Sequence, residues 1–134
     1  MAGFVFNEGA ESLLDNSIVW ASDTIKARLV ETSDTLNRDD VVMTGLGITT
    51  DDVTLGSKTR TKDTTNDRIV YSAANPTFTT VPGGGELNRM IIFKLVTNDA
   101  DSIPIAVCDI TAITPNGGDI AVTIDAAGLF YLQQ

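Results

Sequence analysis

From Asp23 onward, apolar and polar residues alternate in short runs, and Gly, Pro, Asn or Asp closes each run. A period of two is what a half-buried strand requires, because successive side chains leave opposite faces of a pleated backbone. Thr24-Ile25-Lys26-Ala27-Arg28-Leu29-Val30-Glu31 puts Ile25, Ala27 and Leu29 on one face and Lys26, Arg28 and Val30 on the other. That predicts a strand with one wet face. Val53 to Arg60 and Arg68 to Ser72 read as two more strands, joined as a hairpin through Lys62 to Asp67. Asn75-Pro76 marks a bend before Thr77 to Val81, where Phe78 is the inward anchor.

Pro82-Gly83-Gly84-Gly85 must be loop, and Leu87 to Val96, the most apolar run, reads as a central strand buried on both faces for part of its length. Ile103 to Ile110 is its partner, with Pro104 near the start where a missing N–H is tolerable. Thr114 to Asp119 is a hairpin-grade turn, followed by strands at Ile120 to Ile124 and Leu129 to Leu132. Val41 to Ile48 is apolar but broken by Gly45 and Gly47, which suits a bulged strand or a loop packed on the body. The 18 threonines fit, since β-branched side chains suit a pleated, half-exposed surface. The pattern predicts an all-β fold: an antiparallel β-sandwich or barrel of roughly eight short strands with a short N-terminal arm or helix.

The first 20 residues differ. Asn7 to Asn16 has a possible cap at Asn7, early glutamates and then paired leucines, which suits one or two helical turns. So short a helix needs something to pack against. Phe4, Phe6, Leu13, Leu14, Ile18 and Trp20 load this segment with large apolar groups. It therefore reads as an arm, residues 1–20, before a single β domain, residues 21–134. Such an arm either plugs its own core or grips a neighbouring subunit.

What the chain lacks removes most chemistry. There is no histidine, so a Ser-His-Asp triad, a Cys-His pair and a His-ligated zinc or iron site are excluded. The single cysteine, Cys108, lies in a strand-like run and reads as a small core residue. Asn98-Asp99-Ala100-Asp101 opens like a calcium loop but lacks its glycine and distal glutamate, and reads as a solvated turn. Asp39-Asp40 and Asp51-Asp52 are adjacent pairs whose side chains diverge on a strand, so they read as turn caps and surface charge. No catalytic residue, cofactor or metal is expected, and the chain is not expected to be an enzyme. A formal charge of −9 argues against nucleic acid as a partner. No run approaches the ~20 apolar residues of a membrane helix, and no signal peptide is read at the start, which points to synthesis in a reducing cytoplasm.

What remains is adhesion. Alternation places Lys58, Arg60 and Lys62 on one strand face, a basic strip on an acidic protein. It either meets an acidic neighbour or guards a strand edge against aggregation. With Phe4, Phe6, Leu13, Leu14 and Trp20, these are the candidate contact residues. A rival reading is a carbohydrate-binding module using Trp20, Tyr71 or Tyr131 as a stacking platform, though aromatics are only 6% and scattered.

Several segments in this order resemble small virion structural proteins of tailed bacteriophages. They are the helix-like leader, Trp20 to Val30 with its D-x-I-K strand start, Ala73 to Val81, and the Pro115-Asn116-Gly117-Gly118-Asp119-Ile120 turn. The resemblance spans most of the chain, and among virion roles it is to capsid decoration (cement) proteins. It implies a noncatalytic protein on the capsid surface, a homotrimer that binds the major capsid protein and bridges neighbouring shell subunits. A tail, neck or fibre-base component is the alternative virion role.

Overall fold

The computed structural model describes residues 1–48 and 52–133. The chain is all-β, 38% strand and 6% helix, with every strand pairing antiparallel. In chain order the elements are β1 (Gly3–Val5), α1 (Asn7–Leu14), β2 (Ile25–Glu31), β3 (Val53–Thr54), β4 (Thr59–Asp63), β5 (Arg68–Ser72), β6 (Thr77–Phe78), β7 (Leu87–Lys94), β8 (Ile103–Ile113), β9 (Ile120–Ala121) and β10 (Phe130–Gln133). They form a five-stranded sheet in the order β1-β8-β7-β2-β3, a three-stranded sheet β10-β5-β4 and the pair β6-β9.

The hairpin through Lys62 to Asp67 forms as expected, and β7 is the central strand, pairing with β2 along one edge and β8 along the other. Pro104 lies opposite Phe93 where the β7–β8 register shifts, so the lost N–H falls at an irregularity in the ladder. One strand was not foreseen, β1, and the expected Val53 to Arg60 strand divides into β3 and β4, while Val41 to Ile48 is a packed loop. The expected strand at Ile120 to Ile124 shortens to two residues, Ile120–Ala121.

Alternation in the five-stranded sheet sorts side chains into two cores. Ile25, Ala27, Leu29, Leu87, Met90, Ile92 and Cys108 face the smaller sheets, where Tyr71, Phe78, Ile120 and Phe130 close the main core. Val30, Ile91, Phe93 and Val107 face the other way and meet Phe6, Met43 and Leu46 in a second cluster. The expected wet face of β2 is therefore wrong: Val30 is fully buried and Arg28 is 2% exposed. The cover is Phe6, the residue that caps α1, and the 32–48 segment, which period-two reading cannot see because neither is a strand on that face.

Arg28 survives burial by being fully paired. Its guanidinium donates to Asp52 at 2.7 and 2.8 Å, to Asp99 at 2.8 and 3.0 Å and to the Leu46 carbonyl at 3.0 Å. It also lies 5.0 Å from the Phe93 ring centre. Burial opposes its charge, but the two carboxylates overcome that and push it further above its ordinary value. Asp52 and Asp99, expected as surface turn residues, are instead the bolts that hold two loops over the second cluster; Asp51 lies outside the described residues.

The N-terminal segment belongs to this body. β1 pairs with β8, and the Phe6 amide donates to the Ile105 carbonyl at 2.8 Å. Asn7 is not the helix cap; Phe6 occupies that position, and the Asn7 side chain donates to Asp39 at 2.6 Å instead. Helix α1 lies so close to β8 that a Cβ on Gly9 would fall 2.5 Å from the Ile105 Cα. Only glycine permits that approach. Gly47, at φ +71°, lets the loop return under β2, where a Cβ would meet the Leu29 carbonyl at 2.8 Å.

Candidate functional site

Trp20 is where the arm locks to the three-stranded sheet. Its indole stands edge-on to Tyr71 at 5.4 Å and to Phe130 at 5.5 Å, and those two rings stack at 4.7 Å. Its Nε1–H donates to the Thr59 carbonyl of β4 at 3.0 Å. An indole with its polar handle satisfied and its faces covered is a structural element. At 3% exposure Trp20 cannot also serve as a contact for a partner or a sugar, and the same holds for Phe6 at 0% and Tyr71 at 4%. These candidate residues are spent inside the fold. Phe4 is half-buried, edge-on to Phe6 at 5.1 Å with the Arg38 guanidinium 5.1 Å from its ring centre.

Leu13 and Leu14 part company. On α1 the buried side is Gly9 and Ser12, with Leu13 packed at the edge of the main core. Leu14, one position further round, points outward and is 80% exposed, the most exposed large apolar side chain among the described residues. Val19, five residues on, is 39% exposed.

The basic strip lies beside these residues. Strand β4 is the outer strand of its sheet, and its residues Thr59 to Lys62 are all exposed. Register settles the side: Arg60 is opposite Tyr71 and Lys62 opposite Ile69, so both cations leave from the sheet's inner face where it overhangs the core. Lys58, just before the strand, donates to the Asp23 carbonyl oxygen, and partial burial pulls its ammonium below the ordinary value while the Asp23 charge opposes that. Burial pushes the Tyr71 phenol up, with Arg60 opposing. Among the described residues, Arg60 and Lys62 form no ion pair.

Structure thus unites the two halves of the sequence reading. Leu13, Val19 and Trp20 from the arm, with Lys58 and Arg60 from the hairpin, line one notch of about 290 Å³. Its floor is the edge of the aromatic lock, its rim carries two cations, and Leu14 projects from the helix end that forms one wall. A second cleft of about 320 Å³ lies along the C-terminal half of β8 and the segment after β9. It is lined by Asp109, Ile110, Ile113, Ile120, Val122 and Asp125 among others, and sequence reasoning did not single it out. The signal was there in Ile110 and Ile113, which a solvent-facing strand end does not need.

Neither cleft gathers a reactive set. Cys108 is fully buried, its thiol donating to the Leu129 carbonyl at 3.2 Å, and burial pushes its pKa up to about 12. A thiol so placed is a poor nucleophile at neutral pH. Among the described residues, no group of three or more His, Cys, Asp or Glu side chains is placed to hold a metal ion. The two carboxylates of the Asn98 to Asp101 turn are already engaged: Asp99 accepts from Arg28, and Asp101 accepts the amides of Thr97 and Asn98, both at 2.9 Å. No helix among the described residues is long and apolar enough to cross a membrane. Comparison with known proteins finds no matching family, no matching curated protein and no matching solved structure.

Proposed function

We propose that this chain is a noncatalytic structural protein of a bacteriophage particle, a capsid decoration (cement) protein that assembles as a homotrimer and bridges neighbouring subunits of the outer shell. The observation that carries the adhesive part of this reading is the notch, where Trp20 and the exposed Val19 adjoin Lys58 and Arg60 on a rigid β body, with the 80%-exposed Leu14 on the same helix as its lining residue Leu13. Water-exposed Leu14 contributes nothing to the fold, whereas buried against a partner it contributes about 1.5–3 kcal/mol. Flanking cations select for an acidic neighbour and orient it. Clamping a shell against internal pressure needs area and repetition rather than a cleft that turns over substrate. The virion assignment rests on the resemblance of the leader, the Trp20 to Val30 strand and the Pro115 to Ile120 turn.

Quantitative mass spectrometry of purified particles of the phage encoding this chain tests the reading. The expected result is a copy number in proportion to capsid subunits, with purified chain re-adding to stripped, expanded capsids until saturation. A copy number matching a single ring moves the chain to the tail or neck, and absence from particles overturns the assignment.

A further inference from the structure

Asn116 is the chain's only asparagine followed by glycine. That dipeptide is the one most prone to deamidation, because the glycine has no Cβ to shield its nitrogen and its backbone turns freely toward the Asn side chain. The turn is exposed from Asn116 to Asp119, and Gly117 sits at φ +91° with open space where a Cβ would be. The Asn116 side-chain oxygen accepts only the Gly118 N–H, at 3.1 Å, a contact inside the turn. The nucleophile, by contrast, is held. The Gly117 N–H donates to the Val81 carbonyl at 2.8 Å, and the Val81 N–H donates to the Gly118 carbonyl at 2.9 Å, which hooks the turn to the 79–82 loop. Asp119 fastens the same hook by accepting the Thr80 N–H at 2.9 Å. Thr80 is a β-branched residue at φ +51°, a strain that release of the loop relieves.

We propose that Asn116 is a self-modification site whose rate the fold sets: its side-chain amide converts to aspartyl and isoaspartyl forms through a cyclic imide, and the Val81 carbonyl holds the reacting nitrogen back until the turn unhooks. In the first step the Gly117 nitrogen gives up its proton and bonds to Asn116 Cγ. The Cγ–Nδ2 bond breaks, and ammonia leaves with that proton. Water then adds to either carbonyl of the imide, opening it to an aspartyl residue or to an isoaspartyl residue whose main chain runs through Cβ. A Gly117 N–H committed to Val81 cannot also lose its proton and swing onto Cγ, so the reaction proceeds from the locally open turn. Either product adds a carboxylate beside Asp119 on a chain already at −9. The isoaspartyl form also lengthens the main chain of the turn. That pulls the hook to Val81 out of register and loosens the adjoining β6–β9 pair, where Phe78 lies opposite Ile120.

Incubation of the purified full chain in mildly alkaline buffer, folded and in urea, tests it, with products located by mass spectrometry using fragmentation that separates isoaspartate from aspartate. Asn116 is expected to react before any other asparagine, and at least about tenfold more slowly in the folded chain than in urea. Asp119→Ala, at an exposed position, is expected to keep a cooperative unfolding transition, raise the folded-state rate several-fold and leave the rate in urea unchanged. Asn116→Gln, which would have to close a larger ring, is expected to abolish the more acidic isoform on isoelectric focusing. Earlier reaction at another asparagine, or none at Asn116 even in urea, overturns the proposal. Equal rates in the folded and urea-unfolded chain, or a folded Asp119→Ala that reacts no faster than wild type, overturn it as well.

Discussion

The two faces of the five-stranded sheet are buried by different physics. The main core lies between sheets, is apolar and aromatic, and its only sulfhydryl and indole donors find backbone carbonyls. Among the described residues no sheet lies above the second cluster. It is roofed by the 32–48 segment and Phe6, and held down by Arg28 bridging Asp52 and Asp99. Regular strands satisfy their own backbone groups, so a sheet can roof a core with apolar side chains alone. A loop cannot, and here a buried ion cluster ties it in place. The lesson is that an irregular cover needs a polar brace, which makes the second cluster sensitive to charge and the first sensitive to volume.

That contrast can be broken experimentally. Arg28→Ala is expected to be the most damaging single change, costing about 3–5 kcal/mol in urea unfolding, because it leaves two carboxylates facing a part-buried site without a counterion. Arg28→Met combined with Asp52→Asn and Asp99→Asn is expected to recover much of that loss. If the single variant unfolds at the wild-type midpoint, the brace is not what holds the roof. In the main core, Phe78→Ala is expected to cost about 3–5 kcal/mol, since the surrounding strands cannot collapse into the space. Met43→Ala, under a loop that can settle inward, is expected near the low end of the ~2–5 kcal/mol range for such truncations.

Smaller effects sharpen the comparison. Gly9→Ala is expected to cost about 1–3 kcal/mol by overpacking, because the new methyl meets β8 backbone rather than a movable side chain. Acid is expected to loosen the 97–102 turn while the sheet holds. Backbone N–H groups of Asn98 and Thr97 hold the Asp101 carboxyl below its usual range. A depressed folded-state value contributes stability that is complete above the unfolded value, near 3.8, and is lost as pH falls through the folded one. Hydrogen exchange should therefore rise at residues 97–102 while β7 and β8 stay protected. Leu14→Gln is expected to leave the unfolding free energy within about 0.5 kcal/mol of wild type, as an exposed position should.

Strand identity was legible where a single rule decided it. The alternation in β2 and β5, the apolar run of β7 and the glycine- and proline-bearing turns placed the ladder without reference to contacts. Legibility failed at Arg28 and Val30, where period two assigns a face but not what covers it. It failed again at β1, because Gly3–Val5 becomes a strand only by pairing with β8, about a hundred residues away. The contact residues divided the same way. Sequence flagged the greasy leader, but only packing shows that Phe6 and Trp20 are consumed internally while Leu14 is left in water.

What the sequence determined by itself is the class of fold and the exclusion of any histidine-based site. Both follow from residue type and local spacing, which need no partner to be defined. Which apolar groups face solvent, which carboxylates neutralise Arg28, and the meeting of the arm with the Lys58–Arg60 rim were decided by tertiary structure. Each depends on segments 18 to 71 residues apart, or further, closing on one another. Burial and pairing at such separations are properties of the whole packed chain, so no window of the sequence contains them.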